Sequence, residues 1–475
     1  MALKKISLIL SICIGASFAA RSAVPDSLVL SLDNCIAIAL DDNPTIKVAD
    51  MEITRMDYSK KETIGQLLPS ISFGATYNRT LAKQTMYMNM GRASQSSQNS
   101  GEDNKGDEQQ TRSSSSNSGI KVGLDNSFSM GFQASLPLIA PQLWKTLSLS
   151  DSKILESVEQ ARTSRLQLIN QVKNAYYTLM LALDSHKVIC ESYDMAKFTA
   201  DLYRKQYELG AASQYDVLRT QVAVKNVEPE LTQAQIAIKR AQLQLSILLG
   251  MTSDIKLMPN VTLAHYESSM YDDVMHIDTT MQNNPDLRLL DIQTRQLDNA
   301  LTIQKMSWYP TLALTANYNW TSMSNGSPFK NFRWNPYSMI GLTLSIPLFE
   351  GGQRYTRIKQ ARIQLDEMKW QRENLERSVK MQTDLAMENI HLNVQQISSS
   401  SESMRQAEKA HDIMRQSFEI GAASYLDLRD SELALTQSRL AYNQSIYNYL
   451  VANCDLELLL GNADLNKYNS TTPAQ

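Results

Sequence analysis

Residues 207–216 read YELGAASQYD and residues 418–427 read FEIGAASYLD. Glu208, Gly210, Ala211, Ala212, Ser213 and Asp216 of the first stretch recur as Glu419, Gly421, Ala422, Ala423, Ser424 and Asp427 of the second. Long charged segments with apolar stripes flank each copy. Glycine is a common helix stop, and a serine shortly after it is a common helix start. Each copy therefore predicts the sharp turn of a long helical hairpin, and the chain must hold two such hairpins.

The duplication extends beyond the turns. Asn43-Pro44 recurs as Asn284-Pro285 and Pro69 as Pro310, both at a spacing of 241 residues. Ser135-Leu136-Pro137-Leu138 recurs as Ser345-Ile346-Pro347-Leu348, and Leu248-Leu249-Gly250 as Leu459-Leu460-Gly461. The two halves are colinear except between the prolines: Pro69 to Pro137 is 68 residues, Pro310 to Pro347 only 37. The expected organisation is two tandem repeats, 24–250 and 251–461, with a tail at 462–475.

Met1-Ala2-Leu3-Lys4-Lys5 is a basic start, residues 6–14 are mostly apolar, and Ser17-Phe18-Ala19-Ala20 supplies small residues. This predicts a secretory signal peptide over 1–23. Cys13 follows Ile12 rather than a small residue, which argues against lipoprotein cleavage. After residue 23 no apolar run reaches the roughly 18 residues of a membrane-spanning helix. A net charge of −3 gives no electrostatic case for nucleic acid. Cys13, Cys35, Cys190 and Cys454 stand far apart and form no CxxC pair or disulfide framework.

Helical patterns are predicted over 32–66 and 272–307, each with an Asn-Pro break. Each is followed by period-two alternation. Ile71, Phe73, Ala75 and Tyr77 alternate with small polar residues. So do Phe128 to Leu136, Leu312 to Trp320 and Ile340 to Ile346. This predicts two strand hairpins, 69–137 and 310–347, bounded by prolines. Strands of about ten residues with one greasy face suit a transmembrane β-barrel. Tyr318, Trp320, Trp334 and Tyr337 cluster where an aromatic girdle would sit. Between the first two strands, residues 91–119 are almost all polar, which predicts a disordered, dispensable loop. Met86, Met88 and Met90 read as a strand extension rather than a soft-metal site.

Helical hairpins are predicted over 141–249 and 350–460. In the first, a ladder of three- and four-residue steps from Ile154 to Tyr207 is apolar or aromatic at fourteen of sixteen positions, a coiled-coil type of seam. Its counterpart in the second half is more polar. In the last helix Leu426, Leu433, Leu440, Tyr447 and Cys454 recur every seventh residue. Pro229 predicts a kink or short break in the first return helix. Four strands cannot close a barrel, and open edges are not tolerated in lipid. Strands from two, three or four chains would have to join, so the chain is expected to be an oligomer.

Five scattered histidines, with no HExxH, no Cys/His cluster and no phosphate loop, argue against an enzyme and imply no cofactor or metal. Two function classes remain: a transport duct, or an oligomeric structural or adhesive membrane protein, which the resemblance below would make trimeric and outer-membrane. The polar strand face and the acidic groups at both tips favour the duct.

Taken in order, these motifs resemble the TolC-like outer membrane efflux proteins over essentially residues 24–461. The motifs are the signal peptide, the Asn-Pro helices, the Pro-ended strands, the exit Pro347-Leu348-Phe349-Glu350-Gly351-Gly352 and the GAAS-x-x-D turns. The resemblance implies a mixed α and β membrane protein. It would be a homotrimer forming one twelve-stranded barrel in the outer membrane of a Gram-negative bacterium, continued by an α-helical barrel across the periplasm. It implies an exit duct for a tripartite efflux or type I secretion system, driven by an inner-membrane pump of the RND or ABC type. A periplasmic adaptor would dock on the tips Gly210, Ala211, Ala212, Ser213, Gly421, Ala422, Ala423 and Ser424. Asp427 and Asp430 match the family's constriction carboxylates, where crowded like charges would raise pKa values and favour cations. Capping of the return helix is the alternative task for Asp427. Asp216 matches a tip aspartate that in some members latches against an arginine; the matching position here is Ala423. After the second strand, Pro137-Leu138-Ile139-Ala140-Pro141 stands where the family has a Gly-Gly exit.

Overall fold

A computed structural model describes residues 27–86, 120–251, 256–267, 280–326 and 333–462. The signal segment 1–23, the polar loop 91–119, residues 272–279 of the second Asn-Pro segment and residues 463–475 of the tail lie outside the described residues. The elements in chain order are β1 (Ser27–Leu30), α1 (Leu32–Asp42), α2 (Pro44–Gly65), β2 (Ser70–Arg79), β3 (Gln84–Met86), β4 (Ile120–Val122) and β5 (Asn126–Ile139). Then follow α3 (Pro141–Glu208), α4 (Gln214–Leu248), β6 (Lys256–Pro259), α5 (Pro285–Met306), β7 (Thr311–Ser324), β8 (Asn335–Ser345), α6 (Gln353–Glu419) and α7 (Tyr425–Leu460). Contacts divide the chain into two units. One holds Met1–Ser59, Leu149–Ala300 and Gln360–Gln475; the other holds Lys60–Ser148 and Leu301–Lys359.

The second unit carries a four-stranded antiparallel sheet in the order β2-β5-β7-β8. Its register collects the alternating residues into cross-strand rows. Ile71 pairs with Ala134, Ala134 with Ala316, and Ala316 with Ile340. The neighbouring row on the same face joins Phe73, Phe132 and Tyr318. The opposite face carries Ser72, Gln133 and Asn317 in one row and Gly74, Gly131 and Asn319 in another. Ring contacts knit the apolar face, with centroids 5.0 Å apart for Phe73 and Phe132 and 4.6 Å for Tyr318 and Trp320. Tyr337 does not belong to that girdle. It pairs with Asn319 and accepts its side-chain amide at 3.2 Å, on the polar face.

Pro137 does not end its strand either. β5 runs on to Ile139 through a bulge between Pro137 and Ile139. A bulge is where a central strand can hold a residue without an N–H. Pro141 then opens α3 at its first turn, where the missing donor costs nothing.

The first unit is built on the long helices. α3 has 68 residues, so it is about 100 Å long at 1.5 Å per residue. Its apolar ladder is buried in the middle: Ala161, Leu168, Val172, Ala175, Leu179, Ala196 and Ala200 are all buried, whereas Val158 and Tyr207 at its ends are exposed. α4 runs unbroken through Pro229, so the expected break is absent. The carbonyl of Lys225 loses its helical donor, but Lys225 and Pro229 both lie on the exposed side, where water can replace it.

The heptad expected in α7 is also displaced. Leu428, Leu435, Tyr442, Tyr449 and Leu456, again seven apart, are the buried stripe. Leu426 and Leu433 are about half exposed. Two residues on is about 200° around a helix, so α7 is apolar on two opposite faces; this chain covers one throughout, and the other only toward its end, where Cys454 is buried. α4 likewise exposes Leu218, Val222, Ile236, Leu243 and Ile247.

The two Asn-Pro motifs do the same job. Asn43 Oδ1 accepts the N–H of Thr45 at 2.8 Å, capping α2, while its amide donates to the carbonyl of Leu248 at 2.8 Å. Asn284 Oδ1 accepts the N–H of Leu287 at 2.9 Å, and its amide donates to the carbonyl of Leu459 at 2.7 Å. Each asparagine thus satisfies orphan groups at the start of one helix and the end of another. At the second clamp Gly461 has φ +67°, and a Cβ there would lie 2.1 Å from the carbonyl oxygen of Asn283, so no other residue fits. A short parallel pair, β1 with β6, completes this region. Its four-residue strands gave no alternation to read in the sequence.

Candidate functional site

Both tips are constructed the same way. α3 ends at Glu208 and Gly210 turns left-handed at φ +75°; α6 ends at Glu419 and Gly421 turns at φ +78°. The next N–H reaches five residues back, from Ala211 to the carbonyl of Gln206 at 2.7 Å and from Ala422 to that of Ser417 at 2.8 Å. This is the Schellman closure. A Cβ on either glycine meets nothing within 4 Å, so the left-handed backbone, not crowding, selects glycine here.

The return helices open with matching capping boxes. Ser213 Oγ accepts the N–H of Asp216 at 3.2 Å, and Ser424 Oγ accepts that of Asp427 at 3.3 Å. In return Asp216 Oδ2 accepts the Ser213 hydroxyl at 2.6 Å and its N–H at 3.3 Å; Asp427 Oδ2 accepts the Ser424 hydroxyl at 2.6 Å and its N–H at 3.1 Å. These bonds hold the Asp427 carboxyl below its ordinary value, the Ser424 hydroxyl first and the N–H second. Within one chain, then, the pKa moves opposite to the rise expected from crowded like charges. Asp430 is exposed one turn further along α7. Gly210, Ala211, Ser213, Gly421, Ala422 and Ser424 are exposed, and Ala212 and Ala423 are half-buried.

Between the tips, contacts form that the sequence did not announce. Tyr425 stands where the first tip has Gln214. Its ring lies 5.5 Å from that of Tyr203, and the Arg219 guanidinium carbon is 5.1 Å from the Tyr425 centroid. An aromatic and cation–π contact therefore joins the tips where Ala423 leaves Asp216 without an arginine. Further along, Arg439 of α7 donates to Glu191 of α3 at 2.7 Å and to Glu408 of α6 at 2.9 Å, bridging three helices. Spacing within one segment cannot reveal either contact, because the partners come from different hairpins.

No helix among the described residues is long and apolar enough to cross a membrane, and no group of three or more His, Cys, Asp or Glu residues among them could hold a metal. The apolar face of the sheet is open: Ile71, Phe73, Ile340, Leu342 and Leu344 are all more than half exposed.

A sheet greasy on one face, joined in sequence to two long helical hairpins with matched tips, defines a channel-tunnel of the outer membrane. The chain belongs to the outer membrane efflux protein family, whose sequence profile matches residues 35–251 and 276–462. It is 21% identical over 349 residues to the outer membrane protein TolC of Escherichia coli (strain K12), covering 71% of this chain and 70% of that one. Among solved structures it resembles the Campylobacter jejuni CmeC outer membrane channel, with TM-score 0.66 and 17% identity over 90% of this chain and 85% of that one. The open state of the Neisseria gonorrhoeae MtrE outer membrane channel matches with TM-score 0.66 and 16% identity, covering 93% of each chain. The protein is an outer-membrane exit duct for efflux, set in a Gram-negative outer membrane and reaching into the periplasm.

Proposed function

We propose that three copies of this chain close one twelve-stranded barrel, with the long helices of the two tandem repeats continuing it as a helical tunnel. The observation that carries this is the sheet itself. β2 and β8 are its edges, every residue of β2 is exposed, and one of its two faces is apolar. Lipid forbids such edges, so each must pair with the edge of another copy. The uncovered apolar stripes of α4 and α7 give the helices the same need for neighbours. Mass determination in detergent should return three chains; a stable monomer inserted in lipid would overturn the barrel.

At the inner end, the exposed tips Gly210 to Ser213 and Gly421 to Ser424 are the docking points for a periplasmic adaptor, through which an inner-membrane pump delivers cargo. Asp427 and Asp430 ring the opening and favour cations, with Asp216 nearby on the first tip. Replacing Gly210 or Gly421 by a bulky residue should abolish export while leaving assembly and insertion intact. Export that survives both changes would place docking elsewhere. A purely structural or adhesive role would leave the polar face of the sheet without a task.

A further inference from the structure

Above the tips, α3, α6 and α7 leave a cavity of about 830 Å³ between them. Its size falls in the range of small-molecule sites, roughly 300–1,000 Å³. Aromatic and aliphatic groups make most of its wall: Phe198, Leu202 and Tyr203 from α3, Phe418 from α6 and Leu428 from α7. Phe198, on this wall, is 72% exposed, so one chain alone does not cover its ring.

The charges in this cavity do not balance. Arg415 is taken by Glu419, with Nε and Oε1 3.2 Å apart. His411 is buried, hydrogen-bonds Ser431 at 3.3 Å, and is kept neutral by its burial. Asp194 and Glu432 remain as carboxylates on the cavity wall. Glu432 is half-buried and in no ion pair among the described residues; burial pushes its pKa up, and the Arg429 charge on the same helix only partly offsets this. A carboxylate held partly out of water beside aromatic rings wants a cation, and the rings reward one that is poorly hydrated.

We propose that this cavity binds a hydrophobic organic cation, with its charge toward Glu432 and its apolar body between Phe198, Tyr203 and Phe418. A metal ion would gain the carboxylate but waste the rings; a neutral apolar molecule would leave the carboxylate uncompensated. Gly421 and Ala423 of the second tip also line it, whereas Asp427 and Asp430 do not. It is read from the geometry of one chain and requires that a neighbouring copy leave the cavity open.

The test uses the full-length assembled protein in detergent, titrated calorimetrically with tetraphenylphosphonium and, in parallel, with neutral triphenylphosphine oxide. Saturable binding of the cation, at least about tenfold tighter than that of the neutral compound, is expected. Glu432→Gln should erase that preference, and Phe198→Ala should weaken both ligands. Equal affinity for the two compounds in the unaltered protein overturns the proposal, even should a variant fail to assemble. So does an absence of saturable binding, as would follow if a neighbouring copy fills the cavity, or an unchanged preference in Glu432→Gln.

Discussion

Asn284 and Leu459 lie 175 residues apart, yet the side-chain amide of one donates to the main-chain carbonyl of the other at 2.7 Å. Asn43 makes the same bond to Leu248 at 2.8 Å. The motif that marks the repeat in the sequence is therefore a clamp between the start of one helix and the end of another. Both asparagines are buried, so removing one leaves unsatisfied groups behind. Asn284→Ala should cost about 1–3 kcal/mol and lower the apparent melting temperature of the assembled protein. Asn284→Asp, which keeps the capping acceptor but not the donor, should recover part of that loss. An unchanged melting temperature for Asn284→Ala would show that the clamp contributes nothing.

The register of the sheet predicts a facial asymmetry. Ile71 and Ile340 lie on the apolar face, Ser72 on the other. Placing lysine at Ile71 or Ile340 should cost about 2–4 kcal/mol if it falls near the midplane of the bilayer, and the yield of inserted protein should drop. Ser72→Lys should insert normally and reduce cation conductance. Equal insertion of all three variants would mean that neither face meets lipid.

How much of this was legible beforehand depends on the kind of contact. Local devices were readable: Gly210, Ser213 and Asp216, and their copies, lie within one turn and carry their own chemistry. The alternation of β2, β5, β7 and β8 was equally clear, because a half-exposed strand has a fixed period. Ambiguity entered wherever a helix is apolar on more than one side. Leu426 and Leu433 keep the same seven-residue step as Leu428 and Leu435, and periodicity cannot say which stripe this chain buries. This chain leaves Leu426 and Leu433 uncovered. Pro229 misled for a related reason, since one lost hydrogen bond on an exposed face does not break a 35-residue helix held on both sides. Closeness in sequence groups Tyr337 with Tyr318 and Trp320, but the hairpin register sets it on the other face.

Asp427 works as a cap within one chain, and this gives a pH dependence with a definite sign. Its carboxyl is held below the ordinary value of 3.8 by Ser424. The box therefore stabilises the start of α7 fully above that value and loses its contribution as pH falls through the lowered one. Ser424→Ala should cost about 1 kcal/mol and speed amide exchange over residues 425–428 at neutral pH. The difference from the unaltered protein should shrink in strong acid. A difference that grows as pH falls would contradict the assignment.

His411 titrates in a more accessible range. Burial is the main cause that lowers it below 6.5; Arg415 and Arg439 push the same way, while Asp412 opposes them. A histidine kept neutral in the folded state makes stability fall as pH drops through the ordinary value toward the lowered one. Amide exchange in α6 and α7 around residues 405–435 should quicken between pH 7.5 and 5.5. His411→Gln should flatten that change, and an unaltered pH response in the variant would exclude His411 as its source.

The proposed assembly encloses a conducting duct with a cation-favouring inner mouth. Single-channel recording of the purified assembled protein in a planar lipid bilayer tests it most directly. A cation-selective conductance is expected, with selectivity weakened and block by multivalent cations relieved when Asp427 and Asp430 are both changed to Ala. A protein that inserts as an oligomer yet passes no current would contradict it, and would leave the long helices as a stalk rather than a tunnel.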